Sequence, residues 1–151
     1  MQIRFVIIIL LLSAFFRFHA LTQDFRFHPD EALFSTFART AAVNGDWLLH
    51  GPIDKTPLTI YASALSMLAF GVRQMDNGVL MLDVRVGEFA ARVPGTMASI
   101  LLVAVVYRLA RDLYLPKIRN IVSLLAMLLM VLSPFVIAFS ATVFTDGLML
   151  L

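Results

Sequence analysis

The stretch Arg108-Leu109-Ala110-Arg111-Asp112-Leu113-Tyr114-Leu115-Pro116-Lys117-Ile118-Arg119 decides how this chain is organised. It holds Arg108, Arg111, Lys117 and Arg119 against the single Asp112, and it lies between two runs with no charge, Val93–Tyr107 and Asn120–Thr145. Short basic connections between apolar spans stay on the cytoplasmic side. The stretch therefore reads as a cytoplasmic hairpin, its linker at 111–117, joining a span at 92–110 to another at 118–140. Composition agrees. The chain has 151 residues, of which 60% are hydrophobic and 15% charged, and its mean hydropathy is +0.88. These values exclude an ordinary water-soluble domain and a disordered tail. The absence of cysteine removes disulfides, zinc-thiolate sites and a thiol nucleophile. A net charge of +2 is too small to point to nucleic acid.

Working outward, Ile3–Leu21 is the first span, within 1–22. Its uncharged core Phe5–Phe16 would also suit the apolar region of a signal peptide, but Phe18-His19-Ala20 is a poor cleavage site. A retained helix is expected, with Arg17 snorkelling to the headgroups. Arg4 and the free amine place the amino terminus in the cytoplasm, so an even number of crossings separates it from Arg108. The spans at Ile3–Leu21 and Val93–Ala110 supply two. Leu58–Val72, apolar but only fifteen residues and roughly 22 Å long as a helix, then lies along the outer membrane surface.

That leaves 23–91 as an extracytoplasmic loop with surface helices near 30–44 and 57–71. Pro29 opens the first, Asp30 and Glu31 occupy its first turn, and Asn44-Gly45 closes it. Its apolar face is read as Leu33, Phe34, Phe37 and Ala41, and Trp47 after it suits the membrane interface. Met75-Asp76-Asn77-Gly78 is a turn. Segment 141–151 forms an outer loop and the start of a fourth helix at Leu148–Leu151. A span that short cannot satisfy its backbone in lipid, so the sequence is expected to be the amino-terminal part of a longer protein. The expected fold is an all-α polytopic membrane protein with three to four transmembrane helices, in the plasma membrane.

Four polar clusters share the outer side under this topology: His28-Pro29-Asp30-Glu31, Asp54-Lys55, Arg92 and Thr145-Asp146. Each has an ordinary structural role open to it. Asp30 and Glu31 complement a helix dipole, Asp54-Lys55 suits a solvated turn, Arg92 can snorkel, and Thr145 can cap a helix that begins at Asp146. The histidines His19, His28 and His50 fit no local metal spacing. Gathered at one membrane face, however, carboxylates, a lysine and an arginine suit a ligand with a phosphate head and a lipid tail. Lys55 and Arg92 neutralise phosphate oxygens, and a carboxylate beside them can take a proton from an attacking hydroxyl.

The order of these features resembles the integral-membrane glycosyltransferases of the GT-C type, in the superfamily of protein O-mannosyltransferases and lipid A aminoarabinose transferases. The matching pieces are Pro29-Asp30-Glu31, Gly45-Asp46-Trp47, Asp54-Lys55-Thr56-Pro57-Leu58, Phe89-Ala90-Ala91-Arg92-Val93-Pro94-Gly95, Leu109-Ala110-Arg111, Ser133-Pro134-Phe135 and Thr145-Asp146. Thr56 departs from the family's usual proline. The resemblance implies a polyprenyl-phosphate-linked sugar as donor and a hydroxyl on a lipid, protein or glycan as acceptor. It implies Asp30 as general base supported by Glu31, Lys55 and Arg92 on the donor phosphate, and Asp54 and Asp146 lining the cavity. A divalent metal is left open, with Asp54 and His28 as its candidate ligands. The competing class is a transporter or lipid flippase; a non-catalytic membrane subunit is the third.

Overall fold

The computed structural model describes residues 2–23, 27–48 and 56–143. It is mostly helical. Helix α1 (Gln2–Leu21), α2 (Pro29–Asn44) and α3 (Pro57–Phe70) are followed by strands β1 (Val72–Gln74) and β2 (Leu80–Leu82). Helices α4 (Val84–Leu113), α5 (Arg119–Leu132) and α6 (Pro134–Ser140) complete the order. Two helices, α1 and α4, are long and apolar enough to cross a membrane.

Local chemistry explains the boundaries of the outer elements. The His28 side chain and the Glu31 carboxylate form a reciprocal cap at the start of α2, Pro29 sits at its first position, and Gly45 closes it at φ 75°. The buried side of α2 is Glu31, Phe34, Ser35, Ala38, Ala41 and Ala42. It is rotated from the expected stripe, so that Leu33 is exposed and Phe37 half-buried. The rotation follows from Glu31, whose carboxylate turns inward. Trp47 stacks on Tyr61, with ring centroids 6.2 Å apart, and the Tyr61 hydroxyl donates to the Trp47 carbonyl.

Three expectations are corrected. The loop before the second span contains an antiparallel hairpin, Val72 opposite Leu82 and Gln74 opposite Leu80, around the Met75–Gly78 turn. Helix α4 begins at Val84, a full two turns before Arg92, because the Asp83 carboxylate caps it by accepting from the Arg85 and Val86 amides. The stretch at 118–140 is not one helix: α5 and α6 meet at a 62° bend. Pro134 has no amide hydrogen to continue α5, and Ser133 instead caps α6 through the Val136 amide.

Two apolar cores result. One joins α2, α3 and the first turns of α4 through Phe34, Ala38, Ile60, Ala64, Met67, Leu82 and Ala91. The other joins α1, α4 and α5 through Val103, Met127 and Val131, with Ile9, Leu10 and Phe16 against them. Pro94 lies within α4 near the junction of the two. Hydroxyls serve the carbonyls around it: Ser63 Oγ donates to the Ala91 carbonyl at 2.9 Å, and Thr96 Oγ1 lies 3.1 Å from that of Arg92.

Candidate functional site

The His28–Glu31 turn and the outer part of α4 come together where the two cores meet. Glu31, only 3% exposed, is the centre of the cluster. Its Oε1 accepts from Arg92 Nε at 3.2 Å and from the Val143 amide at 2.9 Å. Its Oε2 accepts from the His28 amide at 2.9 Å and from Arg92 Nη2 at 3.4 Å. A carboxylate has about four lone-pair sites, and here all are used. Glu31 therefore ties three distant segments together: the start of α2, the outer part of α4, and the chain just after α6. The Arg92 guanidinium, 6% exposed, lies 4.7 Å from the Phe27 ring centroid.

Asp30 is one residue away and in the opposite situation. Its side chain is 69% exposed, 3.6 Å from His28 Nδ1, and the Asp30 amide donates to that nitrogen at 3.4 Å. Adjacent positions on a helix face different ways, which turns Glu31 inward and leaves Asp30 open to solvent. An open carboxylate of this kind can accept a proton from a hydroxyl that reaches it.

A cleft of about 310 Å³ opens beside the cluster, lined by Leu21, Thr22, Gln23, Arg85, Glu88, Phe89 and Arg92. It joins the outer end of α1 to the first two turns of α4. Its charged lining is Arg85, Glu88 and Arg92, the last paired with Glu31. A smaller cleft of about 160 Å³ lies between α2, the hairpin and α4, lined by Phe27, Ser35, Arg39, Leu82 and Glu88 among others.

The residues expected from the sequence thus divide. The structure brings Glu31 and Arg92 into direct contact and leaves Asp30, one residue along, turned to solvent. Arg92, expected on a donor phosphate, spends its Nε and Nη2 on Glu31 and its face on Phe27, while still lining the cleft. Asp54, Lys55 and Asp146 lie outside the described residues. Among the described residues no group of three histidine or carboxylate side chains gathers to hold a metal ion.

Arg17 differs most from its expected place. It does not reach the headgroups: it is 0% exposed, wedged between α1 and α4. Its Nε donates to Ser99 Oγ at 2.8 Å and its Nη1 to Ser13 Oγ at 2.7 Å, while Nη2 has no hydrogen-bond partner among the described residues. The i,i+4 spacing of Ser13 and Arg17 was the signal available in the sequence, since it sets a hydroxyl one turn from the guanidinium on the same helix face. Arg85 in the cleft wall has no local signal in the sequence, since the start of α4 lies in what composition alone presents as loop.

No protein-family model, curated protein or solved structure matches the chain. Its class rests on the molecule itself: a mostly helical protein with, among the described residues, two membrane-length apolar helices and a polar cluster toward the amino-terminal end of one of them.

Proposed function

We propose that the chain belongs to a glycosyltransferase that moves a sugar from a polyprenyl-phosphate donor to a hydroxyl acceptor on the extracytoplasmic face. The observation that carries this reading is an open carboxylate, Asp30, one residue from the Glu31 that holds Arg92, whose side chain lines a cleft together with Arg85. Asp30 takes the acceptor's proton as its oxygen attacks the anomeric carbon, and the polyprenyl phosphate leaves with the bonding electrons. A phosphate leaves as an anion and needs less help from a general acid than a sugar hydroxyl does. Stabilisation of that charge is the larger contribution, assigned to Arg85 and Arg92 in the cleft wall together with Lys55. Glu31 acts through Arg92, which it orients.

The experiment is sugar transfer from a radiolabelled polyprenyl-phosphate donor in membranes carrying the protein. Asp30→Asn is expected to abolish transfer without changing donor affinity; transfer at the unchanged rate removes Asp30 as base. A second reading, a transporter or flippase, draws on the 62° bend between α5 and α6 and on Arg17 buried in a spanning helix, since broken spans and buried charges mark transport paths. Movement of the labelled lipid across the bilayer with no new glycosidic bond would favour it.

A further inference from the structure

Helix α3 has its polarity inside out. Its buried side holds the polar residues Thr59, Ser63 and Ser66 along with Ile60, Ala64 and Met67. Its exposed positions are Pro57, Leu58, Leu65, Leu68, Ala69 and Phe70, with no polar side chain among them. A helix resting on a water-covered surface shows the reverse arrangement, with its polar face outward. Nor does α3 carry any charged residue.

Its depth follows from α4. That helix is about 45 Å long, against a hydrocarbon core of about 30 Å. The exposed Arg108–Asp112 pair marks its cytoplasmic end. About twenty residues of helix cross the core, so the outer boundary falls near Glu88. A tilt of α4 only moves this boundary further toward Val84. Ser63, in the middle of α3, donates to the carbonyl of Ala91, which is inward of that boundary. The bare apolar face of α3 is thus held at the level of the outer leaflet's acyl chains. The hairpin continues it: Arg73, Met75, Val79 and Met81 share the strand face opposite the buried Leu82, and all four are exposed.

We propose that α3 is immersed in the outer leaflet, its Leu58–Leu65–Leu68–Phe70 face in contact with lipid acyl chains, and that the hairpin beside it rests at headgroup height with Arg73 toward lipid phosphates. Fourteen residues span only about 21 Å, so the helix enters the leaflet without crossing the bilayer. The proposal stands whether or not the chain transfers sugar.

The chain lacks cysteine, so single spin labels at Leu65→Cys and Leu68→Cys can be read in proteoliposomes by collision with oxygen and with a water-soluble nickel chelate. Labels at Phe15→Cys on α1 and Asn77→Cys at the hairpin turn serve as references. The expected result is an oxygen-to-nickel ratio at 65 and 68 several-fold above that at 77 and close to that at 15. A ratio matching 77 places the face in water, and low access to both reagents places protein over it; either overturns the proposal. Unmodified chain gives an independent readout through Trp47, stacked on Tyr61 of α3. Lipids brominated near the headgroup end of their chains are expected to quench it, and absence of quenching counts against immersion.

Discussion

Arg92 and Arg17 are both buried on helices long and apolar enough to cross a membrane, yet the chain satisfies them in different ways. Arg92 meets a full carboxylate, an aromatic face and, through Glu31, two backbone amides. Arg17 meets neutral groups, the hydroxyls of Ser13 and Ser99 and the Ser13 carbonyl, and among the described residues one of its nitrogens has no hydrogen-bond partner. The Arg92–Glu31 pair doubles as a knot between segments far apart in sequence. At Arg17 a carboxylate would add its own desolvation cost, and neutral groups hold the guanidinium more cheaply. Arg92 organises a site; Arg17 fastens a seam between two helices.

The largest effect is expected at the knot. Glu31→Ala leaves Arg92 buried without its counter-charge and the Val143 and His28 amides without their acceptor. It should cost about 3–5 kcal/mol, seen as a large drop in thermal unfolding temperature in detergent. Glu31→Gln keeps an acceptor for the amides and should fall between the two. If Glu31→Ala unfolds at the same temperature as the original chain, the knot holds nothing.

A smaller loss tests how firmly the segment after α6 is held. A Cβ at Gly95 would stand 3.1 Å from the Thr142 carbonyl, and Thr96 Oγ1 donates to the Ser140 carbonyl at 2.9 Å alongside. Gly95→Val should push 140–143 away from α4 and cost about 1–3 kcal/mol. Faster proteolysis or hydrogen exchange across 140–143 is the readout, and no change there means that contact is slack.

The smallest effects sharpen the contrast at Arg17. Ser99→Ala strands its Nε and should destabilise by about 1–3 kcal/mol. Arg17→Met removes the charge together with its needs and should be close to neutral, or stabilising. The reverse ranking in unfolding measurements would show Arg17 to be matched by more than its two serines.

Much of the outer region was legible because its signals are local. Pro29 and Gly45 bracket α2, Gly71 follows α3, and Asp76-Asn77-Gly78 forms a turn, each through backbone chemistry that neighbouring residues settle. What was not legible depended on distance or on competition. Glu31 and Arg92 are sixty-one positions apart, and no spacing rule pairs them, so nothing local announces the carboxylate that Arg92 Nε and Nη2 bind. Arg17 looked like a snorkelling residue because its Ser99 partner is on another helix. The Ser133-Pro134 break was present in the sequence, but continuous hydrophobicity on both sides outweighed it. Strands of three residues are too short for alternation to announce them.

All of these roles assume that the Asp30, Glu31 and Arg92 cluster faces outward while the Arg108–Arg119 hairpin faces the cytoplasm. The direct measurement is labelling of Asn77→Cys and Tyr114→Cys in intact cells with a membrane-impermeant thiol reagent. Position 77 is expected to react from outside, and position 114 only after the membrane is permeabilised. Protection of 77 with labelling of 114 would invert the chain in the membrane and remove the outer-face site.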